Sequence, residues 1–329
     1  MQKPVIATMI GDPAGIGPEV IAHAWVGGKV HQVSRPILIG AASAMERALG
    51  FVGEKAKIEV IEQIHSFSPD QLSDDPRTIT VIDTSAMQET ELPLGEDTEI
   101  CGQATAQWLD EMDLMARDGL VDATIMGPIS TGSLKLAGKL DKVVSPTPGE
   151  SYLVLFTGSL RVIHLTDHMS LRSVCDVISK DLVAAAIHDI DSAMRDWGVE
   201  NPRIAVAGLN PHAMGEEERE SIAPGVEKAK SAGANVFGPI SPDSVFRQCI
   251  DGDYDIVLAM CHDQGHIAVK TWGFSGNCVV ILGPPYLHMS VAHGTAYDIV
   301  GTGKADPAMI ENAMVTAGYL AAGRGFPDS

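Results

Sequence analysis

The sequence is poor in aromatic residues, in basic residues and in paired cysteines. Only 5% of its 329 residues are aromatic, and 23 lysines and arginines stand against 43 acidic residues, which gives a formal net charge of −20. A surface this acidic repels nucleic acid and anionic membranes, so we expect neither as a partner. The five cysteines form no CxxC pair. This excludes a zinc knuckle or a disulfide framework of the usual spacing and favours reduced thiols.

Long apolar runs are also missing. No stretch approaches the ~20 consecutive apolar residues of a membrane span, and residues 1–15 contain no apolar segment long enough for a signal peptide. We therefore expect a cytoplasmic protein. With 45% hydrophobic residues and 33 glycines, the chain has material for a large core, and this composition favours two α/β domains over a β-sandwich.

Short apolar runs alternate with longer amphipathic stretches along most of the chain. The runs predict strands at 5–10, 36–39, 78–82, 123–126, 204–207, 256–260 and 278–282. The amphipathic stretches predict helices at 103–117, 181–197, 216–231 and 307–320. Strands separated by helices indicate parallel βαβ units. A second pair of strands is expected at 161–166 and 170–174, and SPTPGE at 145–150 is the expected domain crossing.

Three histidines occur at the carboxyl ends of predicted strands. They are His168, His212 and His262. Ligands of open α/β sheets bind at this edge, and neutral imidazole is a common ligand of divalent transition metals. Three imidazoles with an open position make a catalytic metal site. The alternative interpretation, three ordinary loop histidines, fits the pattern equally well.

Other polar residues lie near these histidines in the sequence. Asp263 and Asp243 could orient a metal ligand or act as acid or base, although each could equally cap a helix. His266 lies four residues after His262 and shares its face if the segment is helical. We expect His266 to contact the metal ligands or the substrate, and Lys270, one turn further, to bind a substrate carboxylate.

Four motifs in fixed order make the sequence recognisable. They are GDPAGIGPE at 11–19, GLNPHA at 208–213, HDQGH at 262–266 and HGTAYDIVGTGKADP at 293–307. Together they resemble the 4-hydroxythreonine-4-phosphate dehydrogenase family of pyridoxal phosphate biosynthesis, and the resemblance covers nearly the whole chain. It implies metal ligation by His168, His212 and His262, with Asp243, Asp263 and Lys270 as catalytic residues.

The resemblance also implies the fold and the assembly. We expect a three-layer α/β/α protein similar to isocitrate and isopropylmalate dehydrogenases, and a homodimer with its active site near the dimer interface. The first domain should comprise residues 1–145 and 300–329. The second, residues 146–299, should carry the metal ligands and the cofactor loop.

The last motif is similar to the adenosine-binding loop of isopropylmalate and isocitrate dehydrogenases. The residues that would contact the cofactor are Gly294, Thr295, Ala296, Asp298 and Ile299. An acidic residue that accepts a hydrogen bond from the ribose 2′-OH also repels a 2′-phosphate, so Asp298 favours NAD, with NADP as the alternative. Asp298 could instead simply begin a turn. The GDPAGIGPE loop is compatible with an anion site or with a structural turn.

The chain departs from the family at positions that contact substrate. Glu150 matches the family, whereas the following differ: Pro148-Gly149 for His-Thr, Thr131 for lysine, Val279 for asparagine, His288 for arginine and Ala292 for aspartate. An arginine clamps a phosphate through two charge-assisted hydrogen bonds, and a histidine replaces it poorly at pH 7. We expect Glu150, His266, Lys270 and His288 to contact the substrate.

These residues predict oxidation of a secondary alcohol next to a carboxylate-bearing carbon, followed by decarboxylation. The cofactors would be NAD(P) and one divalent metal, Zn²⁺, Mg²⁺, Mn²⁺ or Co²⁺. The first hypothesis is the family reaction on a phosphorylated hydroxy acid. The second is the same chemistry on an unphosphorylated substrate, such as an aromatic cis-dihydrodiol carboxylate or a sugar acid. A third is a non-catalytic nucleotide or metabolite sensor.

Overall fold

The computed structural model describes residues 3–85, 87, 92–143, 145–273 and 276–327. The chain divides into two compact units: unit 1 is Met1–Val144 with Pro285–Ala322, and unit 2 is Ser145–Pro284 with Gly323–Ser329. The expected division differs from this at two places. Residues 285–299, expected in the second domain, lie in unit 1, and residues 323–329, expected in the first domain, lie in unit 2.

Unit 1 is built on six parallel strands. Numbered along the chain, they are β1 (Val5–Met9), β2 (Arg35–Ile39), β3 (Lys57–Ile61), β4 (Thr78–Ile82), β5 (Ala123–Met126) and β12 (Leu287–Val291). Their order is β3-β4-β2-β1-β5-β12, and every pair is parallel. The flanking helices are α1 (Gly17–Val26), α2 (Lys29–Val33), α3 (Ala42–Val52), α4 (Glu99–Arg117), α5 (Thr131–Leu136) and α11 (Ala308–Ala321). Short 3-10 helices occur at Ile64–Ser66, Pro69–Gln71 and Leu140–Lys142.

Unit 2 has a mixed sheet in the order β11-β6-β7-β10-β8-β9. Its strands are β6 (Tyr152–Thr157), β7 (Leu160–His164), β8 (Ile204–Ala207), β9 (Val236–Ile240), β10 (Ile256–Ala259) and β11 (Cys278–Leu282). β6 is antiparallel to both of its neighbours, and the rest pair in parallel. The helices are α6 (Leu171–Val177), α7 (Lys180–Asp196), α8 (Ala223–Ser231), α9 (Val245–Ile250) and α10 (His262–Trp272), with a 3-10 turn at Pro211–Ala213 and a π-helical segment at Glu218–Ile222.

The predicted α/β class is confirmed, and each of the seven predicted strands is present. One prediction is wrong. Residues 170–174 belong to helix α6, because Ser170 caps it by accepting a hydrogen bond from the Ser173 amide. The antiparallel partner of β7 is β6, which precedes it in a hairpin. Within the described residues, no helix is both long and apolar enough to traverse a bilayer.

The strand order of unit 2 decides which loops meet. The core of this sheet is apolar, and β8 and β10 are fully buried. Because β10 lies between β7 and β8 and is parallel to both, the segments after these three strands leave the sheet at the same edge. Each of these segments carries one of the three predicted ligand histidines.

Candidate functional site

His168 and His262 meet at the carboxyl edge of β7 and β10. His262 is the first residue of α10, and the ring centroids of the two histidines are 4.9 Å apart. Together with Asp167 they offer ligand atoms that all lie within 4.8 Å of one another. A cavity of about 540 Å³ opens over this group and is lined by residues including Met169, Val174 and Asp263.

The protonation of His262 is set by its neighbour. Its Nδ1 lies 2.8 Å from Oδ1 of Asp263, and because a carboxylate only accepts, Nδ1 holds the proton. The same hydrogen bond lowers the pKa of Asp263. Nε2 of His262 is thereby left as a lone-pair donor, which is the arrangement in which a carboxylate orients a metal-ligand histidine.

Asp167 provides a test of whether a cation fits here. The residue is 4% exposed, and both carboxylate oxygens are shielded from solvent without a hydrogen-bond partner. A buried carboxylate is stable only when paired or bound to a metal. The donor set, two imidazoles and one carboxylate, is suited to a divalent transition ion. The residues of this cluster therefore fit the metal that the sequence predicts.

His212 lies outside this group. It is exposed, in the Pro211–Ala213 turn after β8, and has a left-handed backbone with φ of 58°. Its loop is tied to α10 by Gln264, which accepts from the Met260 amide and donates to the Gly208 carbonyl, both at 2.8 Å. His212 thus shares the sheet edge with the other two histidines without joining their cluster.

The buried side chain of Glu218, 2% exposed, stabilises the His212 loop through hydrogen bonds. Its Oε1 accepts from the amides of Leu209 and Asn210 at 2.7 and 2.8 Å, and its Oε2 accepts from the Asn210 side chain at 2.7 Å. Burial alone would raise the pKa of Glu218, but these hydrogen bonds lower it. The Asn of GLNPHA is therefore a scaffold residue for the loop.

His266 stacks on His262 with ring centroids 3.7 Å apart and contacts the buried His164. Nδ1 of His164 lies 3.0 Å from the Leu153 carbonyl and so donates to it. Nε2 of His164 then accepts from Nδ1 of His266 at 3.3 Å. Burial lowers the pKa of His164 to about 3. Burial, with His262 beside it, lowers that of His266 to about 4. Both rings are neutral, and Nε2 of His266 is an acceptor.

The remaining predicted residues of unit 2 are more exposed. Asp243 accepts from Ser241 Oγ at 2.6 Å in the turn before α9. Lys270 lies in the last turn of α10, and its side chain is exposed. Glu150 is exposed at the turn before β6 and lines a separate cavity with Tyr152. The structure places Lys270 on the helix of His262. Among the described residues, neither Asp243 nor Glu150 belongs to the ligand-atom group of His168 and His262 or lines its cavity.

The predicted cofactor loop lies in unit 1 and packs on the GDPAGIGPE loop. The Thr295 carbonyl accepts from the Ile16 amide at 3.0 Å. A Cβ on Gly15 would lie 2.8 Å from Cβ of Thr295, so glycine is required for this approach. Ala296 has φ of 44°, and Ile299 donates its amide to the Ala296 carbonyl at 3.1 Å. Gly294 and Asp298 are exposed.

A buried carboxylate holds the end of this loop. Glu19, 2% exposed on α1, accepts from the amides of Gly301 and Gly303 at 2.5 and 3.1 Å. The loop follows β12, which pairs in parallel with β5. These contacts explain why residues 285–299 belong to unit 1. They also give the GDPAGIGPE motif a structural role, because its helix α1 supplies the support for the last motif.

A polar cluster links the same two motifs. The Tyr297 hydroxyl contacts Asp97 at 2.9 Å and Asp12 at 3.3 Å, and Ser130 donates to Asp97. Burial raises the pKa of Asp12. The Ser130 bond, with help from Tyr297, lowers that of Asp97. Sequence reasoning missed Tyr297 and Asp97, although Tyr297 lies inside the recognised motif.

His288 cannot supply the positive charge of the arginine that it replaces. It lies on β12, with Nδ1 2.8 Å from Thr124 Oγ1. Burial lowers its pKa to about 4, so the imidazole is neutral at pH 7. Sequence reasoning also missed Asp167 and His164. Asp167 is adjacent to a predicted ligand, and that adjacency was the available signal.

Comparisons with known proteins identify the family of this chain. The family model described as "Pyridoxal phosphate biosynthetic protein PdxA" matches residues 32–317. A Novosphingobium aromaticivorans protein provisionally named 4-hydroxythreonine-4-phosphate dehydrogenase is 68% identical over 98% of this chain and 97% of its own. A Clostridium botulinum protein provisionally named D-threonate 4-phosphate dehydrogenase is 37% identical over 96% of this chain and 97% of its own.

A crystal structure of 4-hydroxythreonine-4-phosphate dehydrogenase from Klebsiella pneumoniae is also similar. Its TM-score is 0.86 at 34% identity, and the match covers 97% of this chain and 98% of that one. The resemblance read from the four motifs is thereby confirmed. The chain belongs to the PdxA family, whose members are metal-dependent NAD(P) dehydrogenases that oxidise a CH–OH group.

Proposed function

We propose that this chain oxidises the secondary alcohol of a phosphorylated hydroxy acid, with 4-hydroxythreonine 4-phosphate as the first candidate. The meeting of His168 and His262 beside Asp167 carries the proposal. D-threonate 4-phosphate is the second candidate, because a 37% identical relative bears that name. Both relatives are named for phosphorylated substrates and for dehydrogenase activity, so neither the unphosphorylated alternative nor the sensor is favoured.

The metal would be held by His168, His212 and His262. Imidazole donors favour Zn²⁺, Co²⁺ or Mn²⁺ over Mg²⁺. Support comes from the fixed tautomer of His262, whose Nε2 is free to bind, and from the unpartnered carboxylate of Asp167. His212 shares the sheet edge, and joining the ion requires its exposed ring to turn toward the other two.

When bound, the metal would supply Lewis-acid chemistry at the substrate hydroxyl, and NAD(P) would supply the hydride acceptor. Lys270 pairs with the substrate carboxylate. His266 presents its unprotonated Nε2 to a substrate hydroxyl. The hydroxyl proton passes to a carboxylate oxygen of Asp243 or Asp263, or to a water that one of them holds. The β-keto acid product then loses CO₂.

The nucleotide would be NAD, bound through Gly294, Thr295, Ala296, Asp298 and Ile299. The exposed carboxylate of Asp298 accepts from a ribose 2′-OH and repels a 2′-phosphate. Glu150 and His288 would contact the substrate, His288 as a neutral hydrogen-bonding group because its pKa is lowered to about 4. We further propose a cytoplasmic homodimer with the active site near the dimer interface.

The test is metal-dependent NADH formation by metal-free and reloaded protein. The substrates are 4-hydroxythreonine 4-phosphate, D-threonate 4-phosphate and, as a matched control, unphosphorylated D-threonate. We expect turnover of a phosphorylated acid only with metal present. His262→Ala should abolish turnover and metal retention, whereas His65→Ala, an exposed histidine far along the sequence, should change neither. Turnover by the metal-free protein, or of the unphosphorylated acid alone, contradicts the proposal.

A further inference from the structure

Asp167 is fixed in place at the end of β7. The preceding residue, Thr166, donates its hydroxyl to the Met260 carbonyl at 2.8 Å, and the Leu165 amide donates to the Ala259 carbonyl at 2.8 Å. These bonds attach the segment to the end of β10, directly before the helix that begins at His262. The position of the Asp167 carboxylate is therefore set by the sheet.

This carboxylate accepts no hydrogen bond within the described residues. Both oxygens are shielded and have no hydrogen-bond partner, and within the described parts of the chain its one ion-pair partner is His168. Shielded polar oxygens in a folded protein normally have a partner. A cation bound beside this carboxylate would supply one.

The geometry is that of two ligands on one ion. Oδ1 of Asp167 lies 3.2 Å from Nδ1 of His168, yet the two atoms are not hydrogen bonded. Donors bound at 2.0–2.2 Å to one tetrahedral ion stand about 3.4 Å apart. The ligand atoms of Asp167, His168 and His262 all lie within 4.8 Å of one another, and the three side chains line the same cavity.

We propose that Asp167 is a fourth protein ligand of the metal ion, in addition to His168, His212 and His262. This inference rests on the proposed function, because it concerns the same ion. A carboxylate adds a hard, negatively charged donor to the imidazoles. With four protein donors, a bound substrate hydroxyl becomes a fifth, so the site suits ions that accept five or six ligands, such as Co²⁺ and Mn²⁺.

The experiment measures Co²⁺ binding to the full-length chain, made metal-free and titrated against a chromophoric chelator without substrate. Asp167→Asn keeps the shape of the side chain and removes its charge. Loss of a residue that only orients a ligand weakens metal binding about 10- to 100-fold, so we expect about 100-fold or more for Asp167→Asn. Asp176→Asn, at an exposed position on α6, is the matched control and should bind like wild type.

Two further readouts separate a ligand from a neighbouring residue. At saturating Co²⁺, the visible d–d bands of Asp167→Asn should shift, because the ion has lost a ligand. The rise in melting temperature on Co²⁺ loading should be smaller in Asp167→Asn than in wild type, because the ion binds more weakly to the variant. Wild-type affinity with wild-type bands would overturn the proposal.

Asp167→Cys keeps the test decisive even if Asp167→Asn folds poorly. A thiolate at this position should give an intense sulfur-to-cobalt charge-transfer band, which requires a direct bond to the ion. Asp176→Cys should give no such band. Its absence in Asp167→Cys refutes ligation by this residue. If wild type binds no divalent ion at all, the proposed function fails as well; if wild type binds and the Asp167 variants match it, only this inference fails.

Discussion

Replacing Gly265 by alanine adds a methyl group where the structure has no room for one. Gly265 lies in α10 between His262 and His266. A Cβ built on it would lie 2.3 Å from Nε2 of His164 and 2.7 Å from Cγ1 of Val162. Both neighbours are on β7 and are at most 1% exposed. Because both side chains are packed in the core, neither can shift to make room. Helix α10 would therefore have to move away from β7 by roughly 1 Å.

The expected cost follows from two opposing effects. Forcing one methyl group into a packed core costs about 1–3 kcal/mol, and alanine in place of glycine in a helix returns about 1 kcal/mol. We therefore expect Gly265→Ala to lower the free energy of unfolding by up to about 2 kcal/mol. Because α10 also carries His262, the same displacement should reduce metal affinity. Stability and metal binding should therefore change together.

The assay is denaturant unfolding of the metal-free protein combined with Co²⁺ titration. Gly50→Ala is the matched control. Gly50 lies in α3 with no atom within 4 Å of a built Cβ, so this change should stabilise by about 0.5–1 kcal/mol and leave metal binding intact. In the double variant Gly265→Ala/His164→Ala the closest of the clashes is removed and only that with Val162 remains, so its destabilisation should be smaller than the sum of the single ones. Additive losses, or a Gly265→Ala protein as stable as Gly50→Ala, would refute the packing argument.

Three further predictions concern unit 1. Asp298→Ala should weaken NAD binding more than NADP binding, and an unchanged preference in fluorescence titrations of the two nucleotides would remove Asp298 from the specificity role. Glu19→Ala should expose the amides of Gly301 and Gly303, so their hydrogen exchange should speed up while Co²⁺ binding in unit 2 stays normal; unchanged exchange at those amides would contradict the support role. His288 has its pKa lowered to about 4, so its contribution to stability is complete above its unfolded pKa of ~6.5 and is lost as the pH falls toward 4. The free energy of unfolding from urea titrations should therefore drop between pH 7 and pH 5, by about 2 kcal/mol from this group, and by less in His288→Gln. Equal drops in the two proteins would contradict this assignment.

The fold was predictable where burial is complete. Strands such as β8 and β10 are buried at every position and are continuous apolar runs, which is the pattern of parallel strands covered on both faces. β3 was missed because its KIEVI sequence has exposed and half-exposed positions, and β12 because LHMSV mixes polar and apolar residues. At 170–174 the apolar residues suggested a strand, and the capping serine was the stronger signal.

The site was predictable residue by residue but not as an arrangement. Sequence position shows that His168 and His262 follow strands, but not that β7 and β10 are neighbours. β7 and β10 pair although β8 and β9 lie between them in the sequence. Burial of Asp167 is likewise a property of the packed sheet end. For His212 the motif predicts a metal ligand, but the structure leaves this residue exposed and outside the cluster of His168 and His262.

The two carboxylates beside the histidines differ in burial, and that difference assigns their roles. The side chain of Asp263 is 83% exposed, so water screens its charge and its effect on the metal acts through the hydrogen bond that fixes His262. Asp167 is 4% exposed and has no hydrogen bond through which to act on another residue. Solvent screens the charge of Asp167 only weakly, so this charge interacts strongly with neighbouring groups. An exposed carboxylate can orient a ligand without a metal present, whereas a buried one that accepts no hydrogen bond is better explained by a cation bound beside it.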